Sequence, residues 1–208
     1  MKSVLVIDAG FGNIASVVHA LRFLGADGRT SSEAKSVASA DRLILPGVGS
    51  FAAGMQRLRA LGLDEAIWEA VCIRQRPILG ICLGMQLFAT HGYEGGKTKG
   101  LNLISGDVLP LTSAEVGPRK VPHIGLNTVD FSVPNGVYER FTKPATFYFV
   151  HSYYFSSSDT ALTQGTCSYG SPLLVAFQSG NIVGTQFHPE KSQSNGLRFL
   201  ERFMRVIP

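Results

Sequence analysis

The first half of the chain alternates short, unbroken apolar runs with longer segments in which apolar residues recur every three or four positions. The short runs lie at residues 4–7, 43–45 and 77–79. Unbroken apolar runs are typical of strands that are covered on both faces, as in parallel sheets. The pattern therefore predicts an alternation of strands and helices, which is typical of an α/β domain.

Two segments carry the helical pattern most clearly. Apolar residues repeat at helical spacing over residues 14–24. A second apolar set covers residues 51–72, where Gly62 divides the predicted helix in two. Because Trp68 and Cys72 are four positions apart on this helix, we expect both to pack together in the core.

The second half of the chain changes to strand-like segments separated by turn-forming residues. These segments cover residues 108–111, 121–129, 146–150, 173–177 and 182–187. The Ser-Gly-Asn sequence at 179–181 predicts a hairpin, and an amphipathic helix closes the chain around residues 197–204. Together the two halves predict one α/β domain over residues 1–208. Its central sheet is mixed and mostly parallel, with helices on both faces and further antiparallel strands.

Composition narrows the class of protein. The chain has 208 residues, of which 45% are hydrophobic and 16% charged, as expected for a well-packed globular protein. The net charge is +4 without a run of Lys or Arg, so we expect no nucleic-acid groove, whereas an anionic metabolite or an acidic partner surface fits this balance. We find no signal-peptide pattern and no apolar stretch of transmembrane length, so we expect no membrane partner.

The three cysteines are Cys72, Cys82 and Cys167. Their spacing is not that of metal ligands, and any disulfide scheme leaves one of them unpaired. A reducing, cytoplasmic compartment is the simpler expectation.

Residues 80–84, which read Gly-Ile-Cys-Leu-Gly, lie between a predicted strand and a predicted helix. This arrangement has the form of a nucleophile elbow with cysteine in place of serine, in which small flanking residues relieve a cramped backbone. The helix N-terminus favours the thiolate of Cys82, and the N–H of Leu83 points to where an oxyanion would form. The alternative is a buried structural cysteine, but the two glycines and a later histidine favour a catalytic one.

Two other glycine patterns follow strands. Gly10, Gly12 and Ala15 match a relaxed dinucleotide fingerprint with Glu33 as its acid, although a tight turn explains the same residues. Residues 46–49, which read Pro-Gly-Val-Gly, offer backbone N–H groups at the edge of the sheet where ligands bind in α/β proteins. They are candidates for the second oxyanion donor.

His188 is the strongest candidate for a general base. It follows the last predicted strand, and Glu190 lies two positions later across a proline, so both side chains can point the same way. An acid that holds one ring nitrogen while the other faces a thiol is the arrangement of a Cys-His-acid triad. The competing histidines, which lack a near acid or a preceding strand, are His19, His91, His123 and His151.

These motifs resemble those of the class I glutamine amidotransferases. Residues 80–86 look like the nucleophile motif of that family, and the sequence His188-Pro189-Glu190 looks like its His-Pro-Glu signature. Further stretches are similar to the glutaminase subunits of imidazole glycerol phosphate synthases, so that the resemblance covers essentially the whole chain. These stretches are residues 8–13, 45–51, 121–125, 148–153 and 184–192.

The resemblance implies a role for each matching residue. Cys82 would form a glutamyl thioester, His188 would act as base and acid, and Glu190 would orient it. The oxyanion hole would be formed by Gly47, Val48, Gly49 and Leu83, and the 46–49 segment would need a backbone change that depends on the partner. The substrate glutamine would be held by Gln86, Glu94, Ser152 and Tyr153. No metal or cofactor is implied.

The resemblance also implies a partner. Ammonia would pass to a cyclase subunit, which would make imidazole glycerol phosphate and AICAR in histidine biosynthesis. The implied partner-facing residues are His123, Leu126, Asn127 and Lys191. Leu126 stands where the family usually has Trp, and Ala9 stands where it usually has an aromatic residue. Because Leu126 belongs to the partner-facing region, this departure concerns contact with the cyclase and not the glutaminase chemistry.

Three alternatives stay open from the sequence. The chain could serve another synthase, could be a catalytically silent regulatory subunit, or could be a stand-alone cysteine hydrolase. The glycine-rich 46–51 segment and residues 121–125 argue against the first alternative. The complete set of Cys82, His188 and Glu190 argues against the second.

Overall fold

A computed structural model describes residues 3–131, 136–159 and 162–206. Its larger sheet has nine strands in the order β2-β1-β3-β4-β13-β12-β11-β8-β9. The strands are β1 Ser3–Ile7, β2 Asp27–Ser31, β3 Leu43–Gly47, β4 Ile78–Cys82, β5 His91–Gly92, β6 Thr98–Lys99, β7 Asp107–Pro110, β8 His123–Phe131, β9 Ala145–His151, β10 Tyr153–Ser156, β11 Thr163–Tyr169, β12 Ser171–Ser179 and β13 Ile182–Thr185. From β2 to β13 neighbouring strands are parallel, and from β13 to β9 they are antiparallel.

Helices cover both faces of this sheet, as the apolar runs predict. They are α1 Ile14–Phe23, α2 Ala34–Ser39, α3 Phe51–Ala60, α4 Leu63–Trp68, α5 Leu83–Gln86, α6 Ser113–Val116 and α7 Gln193–Val206. Alternate residues of a strand serve opposite faces. Ile44 packs with the cluster that contains α1 and α7, whereas Leu43 and Leu45 pack with α3 and α4.

A second, four-stranded sheet in the order β10-β7-β5-β6 lies beside the first. It contains two short strands within residues 90–100, where the sequence predicts a glycine-rich loop. Strand β2 is a further element that the apolar pattern does not predict. Its sequence, Asp-Gly-Arg-Thr-Ser, carries no apolar run, because β2 is an edge strand and its side chains are exposed or only partly buried.

The expectation that Trp68 packs in the core is wrong, since 52% of this residue is exposed. The buried stripe of this helical segment falls at positions 63, 66, 67, 70 and 71, which are spaced by three and four. Trp68 lies off that stripe, and Cys72 is only partly buried. The helix does divide at Gly62, which has a left-handed φ of 64°.

The turn at residues 10–13 packs against the loop that follows β3. The N–H of Val48 donates to the carbonyl of Phe11 at 3.1 Å, and a Cβ on Gly12 would lie 3.0 Å from the carbonyl oxygen of Pro46. Glu33 accepts a hydrogen bond from Ser36 at the start of α2. Gly10 has a φ of 80°, which favours glycine. These features give Gly10, Gly12 and Glu33 structural roles that account for their match to a dinucleotide fingerprint.

No helix within the described ranges is long and apolar enough to cross a membrane.

Candidate active site

The chain turns sharply at Cys82, between β4 and α5. Cys82 has φ 54° and ψ −111°, a backbone conformation that is rare for a residue other than glycine. The turn depends on close backbone approach at both flanking glycines. A Cβ on Gly84 would lie 1.8 Å from the carbonyl oxygen of Leu45, and one on Gly80 would lie 2.6 Å from the nitrogen of Met85. The structure therefore has the strained elbow that the two glycines predict.

The thiol of Cys82 is nearly buried and, besides His188, lies close to two further polar groups. The side-chain amide of Gln186 donates to the sulfur at 3.6 Å, and the thiol lies 3.9 Å from the carbonyl oxygen of Val150. Gln186 is a site residue that the sequence reasoning did not single out. A signal was present, because Thr185 and Gln186 are polar positions within an otherwise apolar run that leads to His188.

His188 and Glu190 form a buried pair behind the thiol. Nδ1 of His188 lies 2.8 Å from Oε1 of Glu190, and the two side chains are only 3% and 2% exposed. His188 has the extended conformation expected before a proline, but Glu190 reaches it through a single 3₁₀ turn at Pro189–Lys191 and not through an extended segment. The backbone of His188 is fixed on both sides, since its N–H donates to the carbonyl of Tyr148 and its carbonyl accepts from Ser192.

The second ring nitrogen of His188 is left for the thiol. Nε2 is buried and has no hydrogen-bond partner of ordinary geometry among the described residues. Burial lowers the pKa of His188, but its interactions with Cys82 and Glu190 more than offset this effect and raise the pKa to about 10. A protonated imidazole next to a thiol favours the thiolate, which is the nucleophilic form of cysteine.

A cleft of about 350 Å³ opens above the elbow. Its lining brings together eight of the residues predicted for the site: Val48, Gly49, Cys82, Leu83, Gln86, Glu94, Ser152 and Tyr153. It also includes Pro122, Val150 and His151, for which the sequence reasoning gave no role in the site. Gly47 lies beneath the cleft as the last residue of β3, where it pairs with Cys82.

Two of the predicted substrate residues are already hydrogen-bonded to the protein. Glu94 accepts the N–H of Phe51 at 2.7 Å, which fixes its carboxylate at the edge of the cleft beside the start of α3. Gln86 donates to the carbonyl of Tyr153 at 3.0 Å and to the side chain of Gln186 at 2.9 Å. Glu94 is therefore not the solvated surface charge that an isolated acid would suggest.

The candidate oxyanion donors differ in their availability. The N–H of Leu83 is the first of helix α5, where N–H groups lack an acceptor within the helix. The N–H of Val48 is occupied by the carbonyl of Phe11. Gly49 has φ 104°, and a Cβ there would meet nothing within 4 Å, so this part of the loop has space around it.

The residues predicted to face a partner divide into exposed and buried ones. Leu126 is 60% exposed on β8, and Lys191 is exposed with its ammonium 5.7 Å from the centre of the Tyr148 ring. Asn127 is half-buried. His123 is only 1% exposed, so its side chain does not reach the surface in this structure.

Comparison with known proteins identifies the family. The profile of "Glutamine amidotransferase class-I" matches residues 5–207. The chain is 41% identical over 203 residues to imidazole glycerol phosphate synthase subunit HisH 1 of Campylobacter jejuni, covering 98% of this chain and all of that one. It is 42% identical over 213 residues to subunit HisH of Rhodospirillum rubrum, covering 99% of each. A solved glutamine amidotransferase, 17% identical, superposes with a TM-score of 0.77 over 99% of both chains. The chain belongs to the class I glutamine amidotransferases.

Proposed function

We propose that this chain is the glutaminase subunit of an imidazole glycerol phosphate synthase, and that residues 1–208 form its amidotransferase domain. It hydrolyses glutamine to glutamate and ammonia. The observation that carries the proposal is that Cys82 lines the cleft while the buried His188–Glu190 pair interacts with its thiol from behind. The chain is also about 40% identical to HisH subunits along nearly its full length.

The chemistry follows from the positions of the three side chains. The sulfur of Cys82 attacks the carboxamide carbon of glutamine, and the N–H of Leu83 stabilises the negative charge that develops on the oxygen. As the C–N bond breaks, protonated His188 gives its proton to the leaving nitrogen, which departs as ammonia. Water then attacks the thioester while His188 takes its proton; the C–S bond breaks, which releases glutamate and restores the thiolate beside a protonated His188. Glu190 holds Nδ1 and stabilises the imidazolium throughout.

The cleft supplies groups for both ends of the substrate. The carboxylate of Glu94 can pair with the α-ammonium group of glutamine, and backbone groups at Ser152 and Tyr153 can hold its α-carboxylate. Gln86 completes the wall between them. These assignments follow the resemblance of the motifs, and their common location around a single cleft supports them.

The conformation of the 46–49 loop would control whether the oxyanion hole is complete and the site is active in glutamine hydrolysis. Leu83 supplies one oxyanion donor, but the N–H of Val48 is held by Phe11. Turning this peptide toward the cleft breaks that hydrogen bond, whose net contribution is about 1 kcal/mol. A difference of this size lies within the range of coupling free energies that link two binding sites. We therefore expect the free chain to be a weak glutaminase that the ligand-bound partner activates.

The proposed partner is the cyclase subunit, which receives ammonia and forms imidazole glycerol phosphate and AICAR in histidine biosynthesis. Exposed apolar side chains in the loop after β3 and within residues 121–126 support a docking surface. Val48, Val121, Ile124 and Leu126 are 45%, 43%, 59% and 60% exposed. A cytoplasmic location is part of the proposal, and the free thiols of the three cysteines support it.

Replacing Cys82 with Ala tests the nucleophile assignment. In the complex with the cyclase subunit, Cys82→Ala should abolish glutamine-dependent turnover and preserve turnover with added ammonia, because only the first depends on the thioester. Cys72→Ala, which changes a cysteine outside the cleft, is the matched control and should retain both activities. Glutamine-dependent turnover that survives in Cys82→Ala would rule out this nucleophile. Loss of glutamine-dependent turnover in the control would show that cysteine replacement itself harms the fold.

A further inference from the structure

Two buried histidines face each other beside the cleft. His123 on β8 is paired in register with His151 on β9, and Nδ1 of His123 lies 2.9 Å from Nε2 of His151. His151 lines the glutamine cleft, whereas His123 lies behind it. The mechanism proposed above uses neither ring.

The neighbours of this pair determine where each proton resides. The N–H of Thr128 donates to Oδ1 of Asn127, so the amide NH₂ of Asn127 is the group that faces Nε2 of His123 at 3.4 Å. Nε2 of His123 is then an acceptor, and its Nδ1 carries the proton and donates it to His151. At the other end, Nδ1 of His151 lies 2.9 Å from the carbonyl oxygen of Tyr153, which can only accept. Both rings are therefore neutral, with the proton on Nδ1.

Donors and acceptors can also be assigned to the hydrogen bonds that lead from Tyr153 to the nucleophile. The carbonyl of Tyr153 also accepts from Nε2 of Gln86, whose second hydrogen goes to Oε1 of Gln186. Gln186 must then present its NH₂ group to the sulfur of Cys82. The carbonyl of Tyr153 therefore accepts from two series of hydrogen bonds. One comes from β8 through the two histidines, and the other leads to the thiol through the two glutamines.

Packing holds the imidazole ring of His123, at the far end of this series of hydrogen bonds, in place. His123 is stacked between Phe149 and Tyr169, with ring centres 4.6 Å and 3.8 Å away. Burial lowers the pKa of His123 to about 4 and that of His151 to about 3, so both remain neutral near pH 7. A neutral imidazole has one donor and one acceptor, which is what the series of hydrogen bonds requires of both His123 and His151.

We propose that the His123–His151 pair positions the Tyr153 wall of the cleft for glutamine turnover. The proposal rests on the glutaminase function proposed above. His123 touches no substrate and acts through His151, which fixes the carbonyl of Tyr153 and with it one side of the glutamine site. Removing the donor of His123 leaves a buried acceptor on His151 without a partner, which loosens that wall.

Two substitutions separate the hydrogen bond from the packing. His123→Phe keeps an aromatic ring between Phe149 and Tyr169 but removes the donor to His151. His123→Asn removes the ring but keeps an amide donor near the position of Nδ1. In the cyclase complex, we expect His123→Phe to raise the KM for glutamine about tenfold, the effect expected for one buried unsatisfied group. Its kcat should change less than about threefold. His123→Asn should stay within about threefold of the parent KM, and ammonia-dependent turnover should be unchanged in both.

The reverse order would overturn the proposal. If the imidazole matters only as packing, His123→Asn is the more damaged variant and His123→Phe resembles the parent. A second measurement needs no variant and no turnover: ¹⁵N NMR of the histidine rings in the parent chain should show a protonated Nδ1 and an unprotonated Nε2 on both residues. A proton on Nε2 of either ring would also overturn the proposal. Because this readout is independent of activity, the proposal and the glutaminase function can fail separately.

Discussion

Replacing Glu190 with Gln keeps the shape of the buried triad and removes its only carboxylate. The amide oxygen of Gln can still accept the N–H of His188 Nδ1, so the ring should stay in place. What is lost is the negative charge that now lies 2.8 Å from that nitrogen, in surroundings where both side chains are almost fully buried. The variant therefore isolates the charge of Glu190 from its positioning role.

The size of the effect follows from the distance. Two unit charges 2.8 Å apart interact by about 6 kcal/mol at an effective dielectric constant of about 20. One pKa unit corresponds to about 1.36 kcal/mol, so this interaction sets an upper limit of about four units on the fall in the pKa of His188. The pKa of His188 in the parent is about 10, so the ring holds its proton at pH 7. The interactions of His188 with Cys82 raise this pKa more than those with Glu190 and remain in Glu190→Gln, so the fall should be smaller than the limit.

The assay is alkylation of Cys82 by iodoacetamide at pH 7, followed by mass spectrometry. In the parent chain Cys82 should react quickly, because the imidazolium of His188 stabilises the thiolate. In Glu190→Gln the rate should fall at least about tenfold, because the imidazolium has lost the carboxylate that stabilises it. Cys167 is an internal control, since burial raises its pKa to about 11.

Two outcomes decide this prediction. An alkylation rate in Glu190→Gln that matches the parent would show that the carboxylate does not hold the charge of His188. If the reasoning holds, glutamine-dependent kcat should also fall by up to about 10⁴-fold, the loss found when the acid of a serine-protease triad is replaced by its amide. Turnover with added ammonia should be unaffected.

Further predictions concern the elbow and the docking surface. Gly84→Ala should lower the free energy of unfolding by about 3 kcal/mol or more, as measured by denaturant titration, because its Cβ would lie 1.8 Å from the carbonyl oxygen of Leu45. A variant as stable as the parent would show that the elbow tolerates a side chain. Leu126→Asp should raise the Kd for the cyclase subunit at least about tenfold in calorimetric titrations, because it removes an exposed apolar side chain proposed to be buried in the complex. Trp68→Asp, at an exposed site on α4, is the control, and equal weakening by both would refute this docking surface.

The parts of the fold that the sequence predicts are those where a local pattern has a single physical cause. Apolar runs mark β1, β3 and β4 because strands covered on both faces must be apolar. Gly80 and Gly84 mark the elbow because neither position has room for a Cβ. The Ser-Gly-Asn turn between β12 and β13 marks a hairpin, and Gly180 has the positive φ that such a turn uses.

The parts that the sequence does not predict depend on contacts between distant segments. Gln186 approaches Cys82 only because β13 pairs with β4. The pairing of His123 with His151 depends on the register of β8 and β9, which no local pattern specifies. Resemblance placed His123 with the partner-facing residues, but alternation along β8 turns its side chain inward while Leu126 remains exposed.

Spacing along a single helix can give a wrong prediction of burial for a similar reason. Trp68 and Cys72 share helical spacing, yet the core contacts a different stripe, so the larger side chain is left exposed. Strand β2 was missed because its residues are polar and its position at the sheet edge requires no apolar run. In both cases the neighbouring elements decide burial, and the sequence alone does not show where they lie.

The most direct test of the central claim is a glutaminase assay of this chain alone and with its cyclase subunit, each with and without the cyclase ligand. The chain alone should hydrolyse glutamine slowly, because the N–H of Val48 is bonded to the carbonyl of Phe11 and is not available as an oxyanion donor. Addition of the ligand-bound cyclase should raise kcat by at least about tenfold, the effect of one oxyanion donor being about 10²–10³. Rapid hydrolysis by the isolated chain that the partner and its ligand leave unchanged would contradict the account.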